Sequence, residues 1–313
     1  MKLRIFLLSL SFMFVVALHA QTYHQLWRNV EQMEKQDLPK SVIAKAEEIY
    51  AKAKIEHHVP QMMKAYLTMM TWRGNISPDS IPVDMKGLEE WALQTDTEVQ
   101  DRAVLYSILG ELCIRKDFEK ANRYLQLSLK DSLKLLDYPA DKLVPMVKSG
   151  ETSRLYFDNN LYDLLARRAI QLWERNLWNS QQEDTRKSIQ ETYQSLLHIY
   201  KVKGMRPAWL LTALDAYPQA DEKQLRAWME EYSDLDVCAE VYLRLANWML
   251  REDEPSKRLT LLREGINRYP RYNRINALKN EEQEILAAHL NVSVDYTCSD
   301  EPTALRVNHR HLH

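Results

Sequence analysis

Histidine side chains occur at two places where their spacing could serve a metal ion. Glu56-His57-His58 joins two histidines to a carboxylate, and His309, His311 and His313 alternate at the end of the chain. Imidazole nitrogens and carboxylates are ordinary ligands of zinc. Adjacent residues point about 100° apart on a helix, so the first segment is better explained as a solvated helix end. A strand would place the other three histidines on one face, but a frayed tail is favoured there. We predict no metal site.

Paired carboxylates are the second candidate for chemistry. They occur at Glu89-Glu90, Glu230-Glu231 and Glu281-Glu282. A glycoside hydrolase needs two carboxylates that converge on one cleft, whereas these pairs lie on polar helix faces where solvation explains them. The chain also lacks a Gly-x-Ser-x-Gly elbow and a His-Glu-x-x-His motif. We therefore predict no catalytic residues and no enzymatic activity.

Aromatic residues with a polar group are abundant, since eight tryptophans and sixteen tyrosines stand against five phenylalanines. Such rings suit half-buried surfaces and interfaces. Seven of the tryptophans are spread through the helical patterns: Trp72, Trp91, Trp173, Trp178, Trp209, Trp228 and Trp248. Packing between helices is the simpler explanation, and a groove for a sugar or a peptide is the alternative.

The elements that must position these residues are helical. Only six of the 313 residues are glycine, where average usage would give about twenty. No two glycines have the spacing of a phosphate-binding loop, so no nucleotide cofactor is predicted. With 45% apolar and 27% charged residues, this composition predicts an all-α chain with short turns.

Charge excludes two classes of partner. The chain has 42 basic and 44 acidic residues and no block of five like charges. Recognition of nucleic acid or of an anionic membrane surface needs clustered positive charge. We therefore predict that neither nucleic acid nor an anionic membrane surface is a main partner.

Residues 1–20 have the pattern of a secretory signal peptide. Lys2 and Arg4 precede an apolar stretch over residues 5–18, and Leu18-His19-Ala20 predicts cleavage after Ala20. As a helix, that stretch would span only about 21 Å of a hydrocarbon core of about 30 Å. Since Gln21 and not Cys follows the cleavage site, no lipid anchor is predicted. We expect a secreted or periplasmic protein with no membrane span in the mature chain.

Helical periodicity continues over residues 21–290. After a hairpin that turns near His58 and a loop over 74–86, we predict helices at 87–94, 97–115, 117–136, 159–176, 182–203, 206–216, 221–232, 236–252 and 255–268. Residues 137–158 are the weakest helical stretch and could separate two sub-blocks. Cys113 and Cys238 fall on apolar faces and are predicted to be buried.

Two segments resemble tetratricopeptide helix pairs, residues 101–131 and 238–272. Gly110 and Gly265 stand at positions where helices pack closely, but Arg258 occupies a position where a small residue is expected. No steady period links the two segments. The pattern predicts stacked antiparallel helical hairpins, a degenerate tetratricopeptide-like α-solenoid, because each hairpin buries one face only.

Over residues 291–313 the helical periodicity is replaced by an alternation of apolar and polar residues. Val292 and Val294 alternate with polar residues in one run, and Leu305 and Val307 do so in the next. This predicts a short two-strand β tail. Two strands are not a stable sheet in water, so the tail is interpreted as the start of an incomplete β-domain.

Several segments in a fixed order carry a family resemblance. After the signal-like segment they are Thr22-Tyr-His-Gln-Leu-Trp-Arg-Asn-Val-Glu, Leu38-Pro39-Lys-Ser-Val-Ile-Ala-Lys-Ala-Glu-Glu-Ile-Tyr50, Asn276-Ala-Leu-Lys-Asn-Glu-Glu and Thr303-Ala-Leu-Arg-Val-Asn-His-Arg. The whole chain resembles the N-terminal region of the large secreted alpha-2-macroglobulin-like proteins of Bacteroidetes-type bacteria. The resemblance implies a helical leader before the first macroglobulin-like β-domain.

Proteins of that family are typically protease inhibitors that trap their target, often through a Cys-x-x-Gln thioester. Cys113 is followed by Ile-Arg-Lys, Cys238 by Ala-Glu-Val and Cys298 by Ser-Asp-Glu, so the required Gln is missing. The resemblance therefore implies a non-enzymatic scaffold that does not itself trap a protease. Its implied partners are downstream macroglobulin-like domains or proteases. The alternative is a secreted helical protein that binds or processes glycans in a cleft of Trp and Tyr rings.

Overall fold

The computed structural model describes residues 22–143, 146, 151–177, 183–249, 255–287, 289–294 and 305–310. The predicted signal peptide, Cys298, His311 and His313 lie outside the described residues. The chain divides into two compact units, the first ending at Thr192 and the second beginning at Tyr193. No helix among the described residues has the length and the apolar composition that crossing a bilayer requires.

The first unit contains the helices up to the division, which falls within α10. They are α1 (Tyr23–Lys35), α2 (Pro39–Ile55), α3 (Val59–Ile76), α4 (Ser80–Leu93), α5 (Val99–Cys113), α6 (Phe118–Ser128), α7 (Ser132–Leu136), α8 (Glu151–Tyr156), α9 (Leu161–Asn176) and α10 (Glu183–Val202). A 3₁₀ turn covers Ala140–Leu143. The short elements of 137–158 lie inside this unit, and the sub-block break over those residues stays a prediction.

The second unit continues with α11 (Arg206–Ala216), α12 (Glu222–Glu231), α13 (Ala239–Trp248), α14 (Pro255–Arg268) and α15 (Asn276–Leu286). A 3₁₀ turn at Asp236–Cys238 precedes α13. The backbone then forms β1 (His289–Val294) and β2 (Leu305–Arg310), paired antiparallel with Val292 opposite Val307. The all-α class is confirmed, with fifteen α-helices among the described residues.

Local sequence signals explain where many helices begin. Pro39 lies in the first turn of α2, where its missing N–H would have no partner in any case. Thr22 and Gln25 form a capping box at the start of α1. Asp117 and Asn160 accept hydrogen bonds from backbone N–H groups three residues on, at the starts of α6 and α9. Each such cap stabilises its helix by about 1 kcal/mol.

In the hairpin of α2 and α3, apolar side chains of both helices are buried. Val42 and Ile49 of α2 and Ala65 of α3 are buried with Trp27 of α1 in one cluster. The turn between the two helices passes through His57, whose φ of 53° lies in the left-handed region. The predicted hairpin near His58 is therefore confirmed, and the apolar faces of its two helices are buried against α1.

The loop predicted over residues 74–86 is wrong for its second half. Helix α3 runs on to Ile76, and α4 begins at Ser80. Pro82 is the third residue of α4, where a backbone N–H would lack an intrahelical acceptor and proline is tolerated. Two prolines in five residues resemble a loop in sequence, but here one of them lies in the first turn of a helix. The predicted helix 117–136 is also divided, because α6 ends at Ser128.

Both cysteines of the described helices are buried and unpaired, as predicted for Cys113 and Cys238. Burial raises the pKa of each thiol above its usual value. A buried thiol held in its neutral form is a poor nucleophile, so these residues serve as small packing groups.

Gly110 in the first unit and Gly265 in the second allow close contact between helices. A Cβ added to Gly110 would lie 2.7 Å from Cγ and Cδ2 of Leu125, which is fully buried. A Cβ added to Gly265 would lie 3.0 Å from Cβ of Tyr242 and 2.9 Å from Cδ2 of Leu278. Any larger side chain at either position would push its helix away from its neighbour.

Arg258 is buried at the position where a small residue was expected. Its Nε donates a hydrogen bond to the carbonyl oxygen of Ala246 at 3.0 Å, and its guanidinium lies 3.6 Å from the Glu281 carboxylate. The side chain therefore connects α14 to the last turns of α13 and to α15. A buried cation is tolerated there because its hydrogen bonds and its charge both have partners.

We predict that Gly110→Ala lowers the free energy of unfolding by about 1–2 kcal/mol. Helix propensity alone would raise it by about 1 kcal/mol, but the overlap with Leu125 costs more. Urea unfolding of the full chain measures the change. Ala51→Gly, on the exposed face of α2, is the control that measures propensity alone. A Gly110→Ala variant more stable than the parent would contradict the close contact.

Candidate aromatic ligand-binding groove

The Glu56-His57-His58 segment forms structural contacts. The Glu56 carboxylate accepts a hydrogen bond from the Tyr23 hydroxyl at 2.6 Å and pairs with Nζ of Lys52 at 2.6 Å. The His58 ring packs edge-on against Tyr23, with 5.3 Å between centroids. Within the described residues, no three His, Cys, Asp or Glu side chains are grouped as metal ligands. The backbone of His309 lies in β2.

The adjacent carboxylates Glu89 and Glu90 have different surroundings. Glu89 accepts hydrogen bonds from Lys120 at 2.7 Å and from the Tyr124 hydroxyl at 2.8 Å, whereas Glu90 is exposed. Burial alone would raise the pKa of Glu89, but the two hydrogen bonds outweigh it, and this pKa lies below its usual value. Such a carboxylate is ionised at neutral pH and is not suited to act as a general acid.

A buried carboxyl that the sequence did not single out lies at Asp101 in the first turn of α5. Burial, with a smaller contribution from the nearby Glu98 charge, raises its pKa to about 6. The neutral form is favoured in the folded state, so this group's contribution to stability is lost as the pH rises through about 6.

Most tryptophans pack between helices. Trp173 and Trp228 are buried, and Trp72, Trp91, Trp209 and Trp248 are half-buried, while Trp178 lies outside the described residues. Trp91, for example, lies between Tyr50 and Tyr66, with ring centroids 6.4 and 6.2 Å away. This arrangement favours the packing explanation for the rings of the first unit.

Three rings of the second unit line a groove between α11 and α12. We call it the aromatic groove and define it by Trp209, Tyr217, Gln219, Asp221, Gln224 and Trp228. Its volume is about 710 Å³. Tyr217 is 42% exposed, whereas Trp228 is only 5% exposed and forms part of the base. Ring surface is therefore open to a ligand here.

The rings of the aromatic groove meet at steep angles. Trp209 and Trp228 have centroids 6.2 Å apart and an interplanar angle of 85°. Tyr217 and Trp228 are 6.4 Å apart and tilted by 43°. The rings therefore form a corner, not a flat platform.

Trp209 is held in place from outside the groove. Tyr232 stacks on it at 5.7 Å with an interplanar angle of 10°, and the guanidinium of Arg206 lies 5.3 Å from the Tyr232 ring. Arg206 in turn forms a forked ion pair with Asp234 at 2.7 and 2.9 Å. A stack fixed in this way presents its ligand-facing ring at low entropic cost.

The polar groups of the aromatic groove are mainly uncharged. Gln194 donates a hydrogen bond to the Tyr217 hydroxyl at 3.0 Å. Asp221, the only carboxylate among the residues that line the groove, accepts a hydrogen bond from the backbone N–H of Gln224 at 2.8 Å. That carboxylate caps α12 and is not placed as one of a catalytic pair.

A second, charged cleft of about 410 Å³ adjoins the aromatic groove and shares Pro218 and Ala220 with it. Arg274 lies 3.2 Å from Glu240 in this cleft, and Arg244 lies 3.8 Å from Asp215. Two cations and two anions compensate each other here. The cleft therefore selects for neither sign of charge.

Comparison with known proteins leaves the family open. No protein-family model matches the chain, and no curated protein matches it. The crystal structure of BtubC (BKLC) from P. vanneervenii is similar over 84% of this chain and 98% of that chain, with 16% identity and a TM-score of 0.29. A TM-score this low supports no conclusion about fold or function.

Sequence reasoning named Trp209 and Trp228 among the tryptophans but missed Tyr217, Gln219 and Gln224. The turn after α11, Tyr217-Pro218-Gln219-Ala220-Asp221, stands between two tryptophan-bearing helices. A short turn of this kind brings both helices together. It was the one available signal that these rings converge.

We predict that the two kinds of ring differ sharply in their effect on stability. Trp228→Ala should lower the free energy of unfolding by about 3 kcal/mol or more, because the ring is buried. Tyr217→Ala should lower it by under about 1 kcal/mol, because much of that ring is open to solvent. Urea unfolding measures both. Equal losses would show that Tyr217 is a packing residue and not a ligand-facing one.

Proposed function

We propose that this chain is a non-enzymatic helical scaffold that binds other proteins through the aromatic groove. The observation that carries the proposal is the convergence of Trp209, Tyr217 and Trp228 on one open, nearly uncharged surface. Trp and Tyr dominate binding energy at protein interfaces, while charged residues are depleted at their centres. Trp27 and Trp173 support the scaffold, since both are buried in clusters formed by several helices.

The finer architecture belongs to the same proposal. Successive helices contact one another in both units, and Gly110 and Gly265 allow close contact at the positions expected for tetratricopeptide-like pairs. We propose that the hairpins form a degenerate solenoid, with β1 and β2 as the start of a further β-domain. Such stacks commonly offer extended surfaces to protein partners.

The alpha-2-macroglobulin-like resemblance and secretion after cleavage at Ala20 are proposed on the sequence segments alone. In this proposal the chain is a leader whose partners are macroglobulin-like domains or proteases. We expect the coding sequence after His313 to continue into macroglobulin-like β-domains. A stop codon followed by unrelated genes would contradict the family proposal but not the binding role of the groove.

Glycan binding is the second candidate, and the same groove favours it. Trp and Tyr rings beside the amides of Gln219 and Gln224 could hold a neutral sugar. Glycan processing is less favoured, because Asp221 is committed to a helix cap and no second carboxylate lines the groove among the described residues.

We expect a photo-crosslinking amino acid at Gln219, on the exposed rim of the groove, to join the full chain to specific proteins of the source organism. The same amino acid at Val202, which is 73% exposed and outside the groove, is the matched control. Adducts formed at Gln219 and lost in the Tyr217→Ala background would support the proposal. No adduct at Gln219, or binding of neutral oligosaccharides that depends on Tyr217, would contradict it.

A further inference from the structure

We infer that the aromatic groove binds a proline-rich segment of a partner protein in the extended polyproline II conformation. This inference rests on the proposed function and names its partner class. Three properties of the groove support it: the angles between its rings, its hydrogen-bond donors and its lack of usable charge.

The angles between the rings favour proline over a sugar. A pyranose stacks on a flat ring face, whereas Trp209 and Trp228 meet at 85° and Trp228 is only 5% exposed. A compact pyrrolidine ring fits into such a corner, and aromatic-lined grooves bind polyproline II segments in this way. Polyproline II is also preformed, so little entropy is lost on binding.

Several of the polar groups in the groove can donate hydrogen bonds. The Tyr217 hydroxyl accepts a hydrogen bond from Gln194 and therefore has its own proton to donate. The indole N–H of Trp209 has no hydrogen-bond partner among the described residues. Gln219 and Gln224 add primary amides. Polyproline II leaves its backbone carbonyls unpaired, and proline has no N–H, so donors are what such a segment requires.

Charge and length limit the segment further. Asp221, whose Oδ1 caps α12, is the only charged side chain among the described residues that line the groove, and no cation there would pair with an acidic residue. The segment in contact should be uncharged. Polyproline II advances about 3.1 Å per residue, so the ring spacings of 6.2 and 6.4 Å each correspond to about two residues. About four residues would cover the three rings.

The test uses the full chain and a fluorescein-labelled peptide of three Ala-Pro-Pro repeats. Fluorescence anisotropy should show saturable binding that changes little between low and high salt, because no ion pair forms. A Gly-Ser peptide of equal length and label should not bind. It is equally uncharged, so the difference reports the proline conformation.

Variants of Tyr217 test whether the peptide binds in the aromatic groove. Tyr217→Ala should weaken binding about three- to tenfold, as expected for loss of an aromatic contact of about 0.5–1.5 kcal/mol. Tyr217→Phe keeps the ring and loses the donor, so it should weaken binding less than Tyr217→Ala. Val202→Ala, which also removes an exposed apolar side chain from the second unit, should leave binding unchanged. Circular dichroism checks that each variant is folded.

Two results would overturn the inference. One is equal binding, or no binding, of the proline and Gly-Ser peptides. The other is binding of a neutral hexasaccharide that Tyr217→Ala abolishes while the proline peptide does not bind. If the proline peptide fails but Tyr217-dependent protein adducts still form at Gln219, only the polyproline inference is wrong. If both fail, the scaffold proposal is wrong as well.

Discussion

Close contact between successive amphipathic helices is the constraint on which the rest of this structure depends. Each helix has one apolar face and cannot bury it alone, so each needs its neighbour. The contact distance is set where side chains are smallest. Gly110 lies against Leu125, and Gly265 lies against Tyr242, at distances that leave no room for a methyl group. The groups carried by neighbouring helices are positioned by these contacts.

Buried charged side chains also form pairs between these helices. Arg258 is the clearest case, because it fills a small-residue position, donates a hydrogen bond from Nε to Ala246 and lies 3.6 Å from the Glu281 carboxylate. On α4, the buried Asp84 pairs with Arg73 at 3.0 Å. A buried charge whose partner was absent would be costly, so such pairs penalise alternative helix registers. Both pairs join side chains of different helices.

The aromatic groove is where packing between two helices is incomplete. Trp228 belongs to the buried interior, and Trp209 is stacked against Tyr232 on its other side, but Tyr217 at the end of α11 remains open. The same ring types that elsewhere hold helices together here leave ring surface exposed to solvent. The side chains around them are amides and one capping carboxylate, which suits recognition of an uncharged partner and not acid–base catalysis.

The sequence by itself determined the helical class, the apolar faces, the burial of Cys113 and Cys238 and the close-packing role of two glycines. These follow from periodicity and composition, which report how each residue relates to its own helix. The tertiary structure alone decided that Pro82 lies in the first turn of a helix, that Glu89 accepts hydrogen bonds from Lys120 and Tyr124, and that Trp209, Tyr217 and Trp228 converge. Periodicity shows that a ring faces inward or outward, but not which ring of another helix it meets. That depends on turn geometry and interhelix packing, which are properties of pairs of elements.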